Sequence, residues 1–343
     1  HLLAPYLELV DHRDITKGIG NFGSGPRFST GYAAVQNRAG LLVETHMLKP
    51  YATRVKATYD LLVEILAEFN AHPGVLRKAV TRADADAATL AADPASTIPL
   101  TFEQNGKSVP FTLKGYAFTQ TPSPSSGDVW TQYDPTKKKT YTVPFFRDLV
   151  ATATAHPPAA YLIPATWQDV IHKLEQHGIR VERLQRPTGL TGISYRLTEP
   201  QWASKPFEGR LMLADFRLAT EPHEETYPAG SAIVRLDQRT ANLTVQLLEP
   251  EAPDSLLRWG YFNIVFEQRE YADARVAERI ARGLLREHPE LQAAFNEKLK
   301  DPGFAKNPAQ RLAFFFDRSP WRDQRVGRYP VMRLETLPST PPD

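Results

Sequence analysis

The chain has no cysteine in 343 residues. That excludes disulfides, thiolate metal sites and a cysteine nucleophile, and it leaves the redox compartment open. Neither sign of charge is in surplus: 41 Lys and Arg face 39 Asp and Glu, for a net charge of +2. Basic residues are interspersed with acidic ones, so nothing marks a nucleic-acid partner or an anionic membrane surface. No apolar run approaches the roughly 20 residues of a membrane-spanning helix. There is no Gly-x-Ser-x-Gly elbow, no phosphate-binding Lys loop and no internal repeat. The chain opens on His1 without an initiator Met or a signal-peptide pattern. It therefore reads as the interior of a longer gene product whose export signal, if any, lay upstream.

What is present describes a globular protein. Hydrophobic residues make up 42% and aromatics 10%, enough for a sizeable core, and the length suits two or three domains. The 29 prolines gather near 94–99, 122–124, 157–158 and 337–342, marking linkers and loops.

Residues 1–50 read as strand and loop. Leu7, Leu9 and Val10 suggest a short strand, and Gly18 to Gly31 suggests a loop in the role of a mobile or substrate-facing flap. Leu41 to Val43 reads as a buried strand ending on Glu44, with His46 two residues later. From Ala52 the period changes: Val55, Tyr59, Leu62, Leu66 and Phe69 form one helical face, stopped by Pro73-Gly74. An Ala-rich helix over 75–92 follows, with Asp84, Asp86 and Asp93 on a solvated face rather than as metal ligands. Short strands are expected at 100–102, 111–118, 129–133 and 141–146, separated by turns at Gly106, Ser123–Gly127 and Asp134-Pro135. A helix over 164–177 buries Trp167, Val170, Ile171 and Leu174 and is capped by Gly178. Further β pieces are expected at 191–197, 209–218, 231–236 and 242–248. From 255 the chain turns helical, with Leu312 to Phe316 and Trp321 as aromatic anchors and a frayed, proline-rich end.

Three motifs reduce to ordinary structure. Gly18-Ile19-Gly20-Asn21-Phe22-Gly23 fits the dinucleotide fingerprint, but no helix is expected to open at its third glycine. His172-x-x-Glu175 has the spacing of some zinc sites, yet both residues point away from the apolar face of their helix. Asn242-Leu243-Thr244 is a glycosylation sequon in an expected strand. Glu44 is the remaining candidate. At a strand end beside Leu42 and Val43 it would be partly desolvated, which raises a carboxyl toward the range of a general base.

These residues carry a resemblance. Phe28-Ser29-Thr30-Gly31-Tyr32-Ala33-Ala34-Val35-Gln36-Asn37-Arg38, Leu41-Leu42-Val43-Glu44-Thr45-His46 and Lys49-Pro50-Tyr51-Ala52-Thr53-Arg54-Val55 resemble the end of the catalytic domain of bacterial zinc carboxypeptidases of the carboxypeptidase A type. Ala160-Tyr161-Leu162-Ile163-Pro164, His177-Gly178-Ile179, Leu247-Leu248-Glu249-Pro250-Glu251 and Arg318-Ser319-Pro320-Trp321 extend the likeness over most of the chain. The resemblance implies a mixed α/β sheet flanked by helices and zinc held by His-x-x-Glu and a later His. It also implies Glu44 as the general base on the metal-bound water, and a peptide substrate that loses its C-terminal residue. In that family both zinc motifs precede the glutamate. Here 43 residues precede it, and their two histidines, His1 and His12, stand in no ligand motif. His46 is expected beside the site rather than on the metal.

The expected fold is α/β (α+β overall). Residues 1–95 would be the C-terminal part of a mixed-sheet carboxypeptidase-like domain, 96–254 a mixed α/β accessory region and 255–343 a helical C-terminal region. The expected activity is zinc-dependent carboxypeptidase hydrolysis in a periplasmic or secreted protein. Zinc ligands and the rest of the catalytic domain would come from a missing N-terminal portion. The alternative is a non-catalytic binding or assembly module derived from a peptidase.

Overall fold

The computed structural model of the chain describes residues 3–6, 8–47, 49–268 and 271–338. It is an α/β protein of two compact units. The first comprises residues 1–193, 222–261 and 331–343, and the second 194–221 and 262–330. The units are discontinuous in sequence, whereas the sequence suggested three consecutive parts.

The first unit begins with β1 (Glu8–Leu9) and β2 (Ile19–Gly20), followed by three helices, α1 (Ser29–Val35), α2 (Tyr51–Ala71) and α3 (Val75–Thr89). Four strands follow: β3 (Ile98–Gln104), β4 (Val109–Pro122), β5 (Val129–Phe146) and β6 (Leu149–Ala155). β4 and β5 form a long antiparallel ribbon, β2 joins β5 in parallel, and β3 pairs with β6. Ile19, Tyr141 and Val143 form a small core where β2 meets the ribbon.

The unit's main sheet contains β7 (Ala160–Ile163), β8 (Glu182–Arg183), the first part of β9 (Thr188–Trp202), the last part of β10 (Leu213–Tyr227), β11 (Ala232–Arg235) and, from the far end of the chain, β12 (Met332–Leu334). β7 lies between β12 and β11, antiparallel to both, with Leu162 opposite Met332 on one side and Ile233 on the other. All four residues of β7 are buried, as a central strand requires. Leu162, Leu184, Leu190, Ile233, Met332 and Leu334 contribute to the core here. Helix α4 (Gln168–Gln176) buries Val170, Ile171 and Leu174, one apolar stripe at helical spacing. It ends as the sequence suggests. Gly178 takes φ +75° and the Ile179 N–H bonds the Leu174 carbonyl at 3.2 Å, so the last carbonyls are satisfied.

In the second unit α6 (Ala274–Glu287), α7 (Glu290–Lys298), α8 (Pro302–Ala305) and α9 (Pro308–Phe316) gather around Phe295, Phe314 and Phe315. Phe295 and Phe315 lie 4.7 Å apart between ring centres, and the Arg318 guanidinium sits 3.8 Å over Phe314. Burial alone would push the Glu221 carboxyl up, but hydrogen bonds from Arg328 and Arg196 hold it below its ordinary value.

Several expectations are corrected. Residues 41–43 form no strand: the backbone is irregular from 38 to 46, and Leu41 and Leu42 are exposed. Residues 242–248 belong to a helix, α5 (Ala241–Leu248), preceding α6. Seven of its eight residues are buried, so the apolar run has no polar face to reveal a period. The Asp134-Pro135 turn lies inside β5. Tyr116 pairs with Lys138 and Ala117 with Asp134, leaving 135–137 as a bulge. There Asp134 accepts from the Thr136 hydroxyl and N–H and sits near Lys137, which lowers its pKa to about 2. The Gly18 to Gly31 stretch is not loop throughout: it contains β2 and the start of α1. Trp321 is 71% exposed and anchors nothing, although Phe314 and Phe315 do. The final residues, 339–343, lie outside the described ones.

Candidate functional site

Helix α1 leads to the candidate residue and is held at both ends of its C-terminal turn. Its Tyr32 hydroxyl lies 2.9 Å from His177 Nδ1, and Gln36 Nε2 donates to the His177 carbonyl at 2.9 Å. Arg239 donates to Gln36 Oε1 at 2.9 Å. Burial, with a smaller contribution from Lys173, holds the His177 imidazole below its ordinary pKa. Past the helix, Asn37 adopts φ +58° and its amide reaches the Arg239 carbonyl and Asp84. Arg38 pairs with the same Asp84 oxygen at 2.8 Å. Its hydrogen bond keeps the Asp84 carboxyl below its usual range, against the opposing effect of burial. Asp84 is thus a structural anchor on α3 rather than part of a solvated face.

From this anchor the chain runs without regular structure to α2. Glu44 is exposed on it. Leu42, Val43, Glu44, Thr45 and His46 line one side of an open cleft of about 840 Å³, with residues 3–6 and the start of α2 on the others. Lys49 and Arg54 line it too. Arg54 Nε donates to the Lys49 carbonyl at 3.2 Å, and its guanidinium lies 5.6 Å from the Tyr51 ring centre. The cleft therefore combines a carboxylate that can accept a proton with two cations that can hold an anionic group. The desolvated strand end expected for Glu44 is not its setting.

No metal set accompanies Glu44 among the described residues. Among the described residues no three His, Asp or Glu side chains converge on a point that could hold a metal. His12 is exposed, and His1 lies outside the described residues. His172 and Glu175 lie 3.8 Å apart on the outer face of α4, where Arg183 pairs with Glu175 at 2.7 Å. That is the ordinary wet surface expected of them. The donor set that zinc needs is not assembled by these residues. The fingerprint glycines do not have the dinucleotide setting of strand, turn and helix: β2 lies inside the motif rather than before it, and α1 starts six residues after the third glycine.

Sequence reasoning passed over one polar cluster. Glu249, which follows α5, is buried, and its Oε1 accepts from both the Tyr161 hydroxyl and Arg333 Nη1 at 2.5 Å. Arg333 Nη2 also donates to the His156 carbonyl at 2.8 Å. The cluster ties β7, β12 and the end of α5 together. The Glu249-Pro250-Glu251 motif was the available signal, but its partner arginine lies 84 residues on.

The chain is similar to carboxypeptidase 2 of three fungi. Identity is 29% over 110 residues for the Trichophyton tonsurans protein, 30% over 112 for that of Trichophyton equinum and 29% over 121 for that of Trichophyton rubrum. Each match covers about a third of this chain, where the motifs suggested most of it, and the chain spans about a fifth of the length of these relatives. The relationship supports a carboxypeptidase family in general, and these relatives are fungal rather than bacterial. No protein-family profile and no solved structure matches the chain. No helix among the described residues is long and apolar enough to cross a membrane.

Proposed function

We propose that this chain is part of a carboxypeptidase that releases C-terminal residues from peptides, with Glu44 as its general base. The observation that supports this reading is the match to carboxypeptidase 2 at about 30% identity, together with the carboxylate on an open cleft. In this reading Glu44 takes a proton from the attacking water and gives it to the leaving amine. Zinc, as the proposed cofactor, would be held by residues outside these 343, in a larger catalytic domain. The exposed apolar residues of 41–47 and α2 would then pack against that portion. The proposed compartment is periplasmic or extracellular.

The test is release of the C-terminal residue from N-blocked dipeptides by the longest polypeptide that contains this chain. Glu44→Gln is expected to lower kcat by about 100-fold or more, with binding of the uncleaved peptide retained. Unchanged turnover would remove Glu44 from the mechanism. A second reading, a non-catalytic binding module, is favoured by the bare apolar face of α2. It predicts that neither polypeptide cleaves any peptide.

A further inference from the structure

Helix α1 is fastened to the end of α4 through one hydroxyl, and the direction of each hydrogen bond there follows from its neighbours. Arg239 donates to Gln36 Oε1 at 2.9 Å, which fixes which end of that amide is the oxygen. Gln36 Nε2 then donates to the Tyr32 hydroxyl oxygen at 3.0 Å. The phenolic hydrogen is therefore turned away from Gln36 and toward His177 Nδ1, 2.9 Å off. With Nδ1 as acceptor, the imidazole is neutral and carries its hydrogen on Nε2. Gln36 is buried, and Tyr32 and His177 are half-buried. The arrangement fits the neutral ring alone. A proton on Nδ1 would bring a second N–H against the hydroxyl oxygen and leave the phenolic hydrogen without its acceptor.

The charges around the ring oppose that proton. Lys173, one turn earlier on α4, acts on the imidazole directly. Arg239 reaches in from the segment before α5, its Nη2 3.6 Å from where a Cβ on Gly178 would stand. Glu175 is turned outward to Arg183. On α3, Asp84 faces Asn37 and Arg38, and its carboxyl is held below its usual range. The Asp84 clamp on residues 37 and 38 thus keeps its charge at mildly acid pH, where a histidine titrates. Acid therefore acts on the α1 side of the anchor and spares the other.

We propose that His177 is an acid-sensitive latch whose protonation breaks the Tyr32 bond and releases the C-terminal turn of α1, from which the chain leads to Glu44. The latch stands whether or not Glu44 is a general base. Amide hydrogen exchange on the 343-residue chain at pH 7.5 and 5.0, corrected for intrinsic rates, reads it. A released ring protonates near the ordinary value of about 6.5, so the linkage can raise opening by at most about 30-fold at pH 5. A loss of protection of at least about fivefold is expected at the N–H groups of Gln36, Asn37 and Arg38, which bond carbonyls of α1. Protection in β7 should stay within about twofold. His177→Asn puts a carbonyl oxygen near the place of Nδ1, where it accepts from Tyr32 at either pH, and should keep the turn protected at both. Tyr32→Phe removes the bond altogether, should leave the turn equally unprotected at both, and serves if His177→Asn fails to fold. The proposal is overturned if the unaltered chain shows no step. It is overturned equally if β7 loses protection to the same degree, or if the step survives in either variant.

Discussion

Helices α2 and α4 carry the same signal in sequence and meet opposite fates in the structure. On α4 the apolar stripe Val170, Ile171 and Leu174 is buried against the unit's interior. On α2 the stripe Val55, Tyr59, Leu62, Leu66 and Phe69 runs for four turns, and no residue of the helix is buried. Full burial of a Leu side chain is worth about 1.5–3 kcal/mol. Most of that is realised at Leu174 and little at Leu66, which is 62% exposed. Helical periodicity thus reports a face that wants a partner, and it is silent on whether the chain supplies one. The segment before α2 behaves alike, with Leu41, Leu42 and Met47 all exposed.

The covered region is the one that substitutions should damage. The largest effect is expected for Arg333→Met, which leaves Glu249 buried with an uncompensated charge at a cost of about 3–5 kcal/mol. The urea midpoint followed by tryptophan fluorescence measures it. A loss under about 1 kcal/mol would mean that water reaches the cluster. Next, Leu174→Ala should cost about 2–5 kcal/mol, whereas Leu66→Ala should stay within about 0.5 kcal/mol, as surface changes do. Equal losses at the two positions would end the contrast, since they would require a cover over α2. The smallest effect is a pH dependence. His177 is held below its ordinary pKa in the folded chain, so below about 6.5 the unfolded chain binds the extra proton more readily. Its contribution to stability is complete above that pH and is lost as pH falls through the folded value. Thermal melts from pH 8 to 5 should show a decline that His177→Gln flattens.

Much of the fold is legible in the sequence where one face is buried and the other wet. The stripe of α4 and the buried Ala277, Ala281 and Leu284 of α6 are of this kind, and the Pro73-Gly74 break between α2 and α3 falls where the sequence puts it. Legibility fails where that contrast is missing. Helix α5 is buried nearly all round, so its run of Leu and Val reads equally well as a strand. Residues 41–43 are apolar, but the described structure gives them no sheet to join. Asp134-Pro135 has turn chemistry, yet the ribbon absorbs it as a bulge because residues on both sides keep their partners on β4. At the candidate site, Glu44 is singled out by motif, while its exposed position on irregular backbone follows from tertiary structure alone.

The ribbon of β4 and β5 has a consequence of another kind. Fourteen residues of β4, about 48 Å at strand rise, are zipped to β5 from Val109 to Pro122. The connection at 123–128 is exposed and turns at Gly127, φ +72°. Next to it, Arg13 pairs with Asp128 and its carbonyl accepts from Gln120, so β4 and the end of the connection are also gripped from outside the hairpin. A protease that cuts at Ser125-Ser126 would sever the covalent chain without parting its two halves. The fragments would migrate separately in denaturing gels and elute together under native conditions, which makes this turn the place to divide the polypeptide into two co-expressed pieces.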